Sequence, residues 1–132
     1  MSGDEAAGAG SVARIRGLKI LIVEDEPFFA FDLIMAIEDA GAIAVGPAAS
    51  VAEAIDFLHS ATPDAAIVDV HLPDGTIAAF LDAIPKGLPV VVHTGIGLPE
   101  DIAARHPDMP VVLKPTDPAV LLQQIGKRLK AI

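Results

Sequence analysis

Residues 19–27 read KILIVEDEP. Ile20 to Val23 are apolar without a break, and the chain then turns at once to Glu24, Asp25 and Glu26 and a proline. A strand with one wet face alternates apolar and polar residues. An unbroken run suits a strand covered on both faces, as in a parallel sheet flanked by helices. Four more runs of this kind follow: AIAVG near Ile43, DAAIVDV near Val68, PVVVHT near Val91 and PVVLK near Val112.

Helical signals fill the gaps. Pro27 to Ala40 opens on a first-turn proline and stops at Gly41. Ser50 to Ser60 opens with Ser50 and Glu53 at capping-box spacing. Thr76 to Ile84 and Leu98 to His106 are short, and Pro99, Pro107 and Pro110 confine the second of them. In the last, Asp117 to Lys130, Leu122, Ile125, Leu129 and Ile132 form the apolar stripe. Its Lys127, Arg128 and Lys130 suit the negative end of the helix dipole. Five βα units predict an α/β domain over residues 18–132, with a parallel sheet of flavodoxin-like order 2-1-3-4-5. Residues 1–17 are small, polar and glycine-rich, and are expected to form a disordered leader.

Composition narrows the function. Lys plus Arg total 9 against 18 Asp plus Glu, a formal net charge of −9, which opposes general nucleic-acid binding and adsorption to anionic membranes. No cysteine is present, so thiol catalysis and thiolate zinc are excluded. No signal peptide is visible, and no apolar run approaches the roughly 18 residues of a membrane span. A soluble, cytoplasmic domain is the expectation.

In parallel α/β sheets, sites form beyond the carboxyl ends of the strands. There the sequence places Glu24 and Asp25, then Asp69, Thr94 and Lys114. Clustered carboxylates repel one another, and a hard cation such as Mg²⁺, which takes oxygen ligands, resolves the conflict. His59, His71, His93 and His106 match no ligand spacing, and no glycine-rich phosphate loop is present.

The four segments KILIVEDEP, AAIVDVHLPDG, PVVVHTG and PVVLKP, in that order at strand ends, resemble the receiver domains of bacterial two-component response regulators. The resemblance implies that Asp69 accepts a phosphoryl group and that Glu24 and Asp25 hold Mg²⁺, Asp25 directly and Glu24 through water. It further implies that the His71 backbone carbonyl and Asp69 complete the metal site, that Thr94 binds a phosphoryl oxygen and that Lys114 is its cationic partner. The partners implied are a histidine kinase or a histidine phosphotransferase. The activity would be Mg²⁺-dependent self-phosphorylation and autodephosphorylation, not turnover of a separate substrate. No output domain follows in the chain, so a stand-alone receiver working by contact, by phosphorelay or as a phosphate sink is expected. A pseudo-receiver that only binds partners is the alternative, although no pocket residue is missing. A phosphohydrolase with an aspartate nucleophile is disfavoured because His71 stands where such enzymes place a second acid.

One departure stands out. Receivers commonly carry an aromatic residue three positions before the lysine, and here that residue is Val111. No aromatic Phe, Tyr or Trp follows Phe80. With HTGIG and a reduced fourth helix, the chain is similar to an alphaproteobacterial subgroup carrying a FATG-type motif, here replaced by VHTG. On the first helix, the advance of about 100° per residue puts Phe28 and Met35 on the acidic face with Asp32 and Asp39, opposite Ala30, Ile34 and Ile37. Phe28 and Met35 are therefore a candidate docking patch.

Overall fold

β1 (Lys19–Val23) lies inside a five-stranded parallel sheet, paired with β2 (Ile43–Ala48) on one side and β3 (Ala65–Val68) on the other. The computed structural model describes residues 12–129; residues 1–11 of the expected leader and residues 130–132 lie outside that range. Because successive side chains point to opposite faces, Ile20 and Ile22 enter one apolar cluster while Leu21 and Val23 enter the other. Burying each such side chain contributes about 2 kcal/mol, so covering both faces is what the unbroken run provides.

The first cluster is closed by α1 (Pro27–Asp39) through Leu33 and Ile37, and by α5 (Pro118–Arg128) through Leu121, Leu122 and Ile125. The second is closed by α2 (Val51–Ser60) through Ala54 and Leu58, by α3 (Ala78–Ala83) through Phe80 and Leu81, and by α4 (Glu100–Arg105) through Ile102. Between β3 and α3, the two-residue strands β4 (His71–Leu72) and β5 (Gly75–Thr76) form a small antiparallel hairpin. The sheet is completed by β6 (Val90–Thr94) and β7 (Val111–Leu113), in the order β2-β1-β3-β6-β7. With the hairpin set apart, this is the expected 2-1-3-4-5 arrangement of a flavodoxin-like fold.

Capping explains where the helices begin. Ser50 Oγ accepts from the Glu53 N–H at 3.1 Å, the bond that the capping-box spacing foretold. Asp117 accepts from the Ala119 N–H at 2.9 Å, with Pro118 behind it. At Gly46 φ is +98°, and a Cβ there would stand 2.8 Å from the Ala48 nitrogen and 2.9 Å from the Ile22 carbonyl, so only glycine fits.

Two expectations need correction. The leader was expected to reach Gly17 without joining the core, yet Ile15 is fully buried in the α1/α5 cluster and the Gly17 N–H donates to the Gly41 carbonyl at 2.9 Å. One isoleucine in a polar stretch carries no periodicity, so only the folded surface shows the hole it fills. The strands were also expected to be buried throughout. The edge strands instead expose Ile43 in β2 and Val111 and Leu113 in β7. Each has a neighbour on one side only, and the six-residue α4 leaves β7 poorly covered.

Candidate functional site

The carboxyl ends of β1 and β3 are adjacent, because Val23 is in register with Val68. The next residues, Glu24 and Asp69, are therefore neighbours at the rim, and Asp25 joins them. One carboxylate oxygen from each lies within 4.8 Å of the others. Glu24 is 4% exposed and Asp69 8%, whereas Asp25 is exposed. Lys114, which follows β7, reaches across the sheet. Its Nζ donates to Asp69 Oδ2 at 3.0 Å and to Glu24 Oε2 at 3.4 Å. The Val70 N–H holds Asp69 Oδ1 at 2.7 Å, and the Glu26 N–H holds Glu24 Oε1 at 3.1 Å.

Three carboxylates thus face a single ammonium. Burial, with repulsion from Asp69 as a lesser cause, raises the Glu24 carboxyl above its ordinary value despite the Glu26 N–H and Lys114. Burial opposes the charge on Lys114, but its contacts with Asp69 and Glu24 prevail and hold it above the usual lysine value. Negative charge remains uncompensated at this rim. An all-oxygen donor set with excess negative charge suits a hard divalent cation. Glu24, Asp25 and Asp69 fit Mg²⁺ by their chemistry, and His71 lies exposed two residues past Asp69, at the start of the hairpin.

Thr94 ends β6 at the same rim, but its hydroxyl is turned to its own loop. It donates to the Gly97 carbonyl at 3.4 Å and accepts from the Ile96 N–H at 3.3 Å. The structure therefore brings Glu24, Asp25, Asp69 and Lys114 together and holds the Thr94 hydroxyl in separate bonds. Glu26, third in the acidic run, points elsewhere. It caps α1, accepting from the Phe28 and Phe29 N–H groups at 3.2 and 2.6 Å.

His93 was expected to flank the pocket, but its stacking on Phe29 was not legible in the sequence. His93 is 2% exposed, stacks on Phe29 with ring centroids 4.6 Å apart, and finds no partner for either nitrogen among the described residues. Burial, then the Lys114 charge, lowers its pKa to about 4. With Glu26, Lys114, Pro115 and Thr116 this pair lines a pocket of about 240 Å³ beside the rim. On α1, Phe28 is 81% and Met35 44% exposed, and Phe31, 60% exposed, joins them. The spacing 28, 31, 35 is a helical stripe, a signal that the sequence contained.

A doubly covered parallel sheet with an acidic cluster and a lysine at its carboxyl rim is the arrangement that the resemblance to receiver domains led us to expect. The chain belongs to the response regulator receiver domain family, whose model matches residues 20–126. It is similar to the response regulator PhyR from Brucella abortus, at 26% identity and a TM-score of 0.73, over 94% of this chain and 52% of that one. It is also similar to the anti-anti-sigma factor PhyR from Bartonella quintana, at 27% identity and a TM-score of 0.70, over 89% of this chain and 49% of that one. The chain spans about half the length of these PhyR chains. The chemotaxis protein CheY4 from Vibrio cholerae matches at 25% identity and a TM-score of 0.73, over 86% of this chain and 99% of that one. The comparison with curated proteins found no match.

Proposed function

We propose that this receiver domain accepts a phosphoryl group on Asp69 from a histidine kinase or histidine phosphotransferase, in the cytoplasm, and passes the signal on by protein contact. The observation that supports it most is the Lys114 ammonium 3.0 Å from the Asp69 carboxylate, inside a cluster that carries excess negative charge. A carboxylate oxygen of Asp69 attacks phosphorus. The bond from phosphorus to the donor imidazole nitrogen breaks, and the imidazole keeps the electron pair and takes a proton from water. Lys114 offsets charge on the phosphoryl oxygens, since such transfer is mainly positioning and neutralisation. Glu24, Asp25, Asp69 and the His71 carbonyl would hold Mg²⁺, which supplies further neutralisation and orients the incoming group. Thr94 becomes a ligand of a phosphoryl oxygen once it leaves its bonds to the 96–97 loop. Hydrolysis returns the aspartate. Phe28, Phe31 and Met35 form an apolar stripe on α1, beside the rim, against which a donor protein would pack. The net charge of −9 favours a protein over DNA as the downstream target.

With Mg²⁺ and a small phosphodonor such as acetyl phosphate, Asp69 should become a hydroxylamine-sensitive acyl phosphate. Label persisting at equal stoichiometry in Asp69→Ala would refute the assignment.

A further inference from the structure

The segment that carries the acceptor is tied to a distant helix by one side chain. After Asp69 the chain folds into the β4–β5 hairpin, with His71 opposite Thr76 and Leu72 opposite Gly75. The Ile77 N–H donates to the Val70 carbonyl at 2.9 Å and closes the base of this loop. At its tip stands Asp74. The N–H of Val51 donates to Asp74 Oδ1 at 2.8 Å, and the N–H of Ala52 donates to Oδ2 at 3.1 Å. Both carboxylate oxygens are thus spent on the first turn of α2, more than twenty residues away in sequence. That turn already has a local cap, Ser50, which serves the Glu53 N–H. Asp74 therefore does more than begin the helix. It bonds the hairpin to α2, whose Val51, Ala54 and Leu58 are buried in the core.

We propose that Asp74 is a positioning residue for the acceptor site, holding the 70–77 hairpin against α2 so that Asp69 and the His71 backbone stay set for Mg²⁺ and the phosphoryl group. This deepens the proposed function and rests on it. A two-point carboxylate clamp fixes direction as well as distance, because two N–H groups in sequence meet two oxygens of one planar group. A metal site gains from such support when the surrounding groups leave its ligands little freedom.

The test pairs Asp74→Ala with Ser50→Ala, which weakens the same helix end without touching the hairpin. Mg²⁺ affinity is read by calorimetry, the rate of acyl phosphate formation by label from acetyl phosphate, and amide exchange at residues 70–77 in metal-free protein. Asp74→Ala is expected to weaken Mg²⁺ binding by about two- to thirtyfold, the scale of residues that act through their neighbours. Exchange at 70–77 should rise with it. Asp74→Asn, which keeps one acceptor oxygen, should fall between wild type and Asp74→Ala. Ser50→Ala should leave both readouts at wild-type values. Equal Mg²⁺ affinity in Asp74→Ala and wild type, or an equal loss in Ser50→Ala, would overturn the proposal. Should Asp74→Ala fail to fold, Asp74→Asn against Ser50→Ala decides by the same criteria. Wild-type protein that neither binds Mg²⁺ nor takes label would refute the proposed function instead, and the metal-free exchange would still show whether Asp74 holds the hairpin.

Discussion

Replacing His93 with leucine should stabilise the domain and flatten its response to acid. His93 is 2% exposed with neither nitrogen partnered among the described residues, and its pKa falls from 6.5 to about 4. A histidine whose folded pKa is depressed favours the fold only while neutral. Its contribution is intact above pH 6.5 and is lost as pH falls from 6.5 towards 4. A shift of that size corresponds to about 3 kcal/mol once acidification is complete, and to about 2 kcal/mol between pH 7 and pH 5. Burial of unpaired polar nitrogen already costs about 1–3 kcal/mol at neutral pH. His93→Leu keeps an apolar surface against Phe29 and removes both costs. The expected gain is about 1 kcal/mol at pH 7 and about 3 kcal/mol at pH 5. Urea denaturation followed by far-ultraviolet circular dichroism measures this, since the chain has no Trp or Tyr to report by fluorescence. Glu24, whose carboxyl burial raises, also contributes on the acid side, so the difference between wild type and variant is the quantity to read. Parallel loss of stability in the two proteins from pH 7 to pH 5 would refute the reasoning.

Two further outcomes follow from the rim. Phe28→Ser should slow transfer from a cognate kinase by about tenfold, the scale of one anchoring aromatic residue, and leave reaction with acetyl phosphate unchanged; equal slowing with both donors would remove the docking role of α1. Thr94 must leave the Ile96 and Gly97 contacts to meet a phosphoryl oxygen, and Val111 offers no ring to follow it, so hydrogen exchange with beryllium fluoride should change within residues 95–110. That change should vanish in Thr94→Val, and a change confined to α1 or α2 would contradict this route.

Much of the candidate site could be read in the order of residues. A buried parallel strand announces itself by an unbroken apolar run, and its carboxyl end is where the run stops. Glu24, Asp25, Asp69, Thr94 and Lys114 each follow or end such a run, so topology alone places them on one rim. Phe31 shares the helical spacing of Phe28 and Met35, so its place on the same stripe is equally legible.

What only the folded chain decided are contacts between segments that no local pattern links. Ile15 finds the α1/α5 cluster, Phe29 stacks on His93, and Asp74 clamps the start of α2. The Thr94 hydroxyl could have faced Asp69 or its own loop, and a rotamer choice of that kind depends on which N–H and carbonyl the tertiary structure brings within reach. Glu26 continues an acidic run in the sequence yet caps a helix. Periodicity records which face of an element is buried, because the hydrophobic effect is non-directional and sums over area. Hydrogen bonds and ring contacts depend on distance and angle between partners far apart in the chain, and those are set only when the elements have packed.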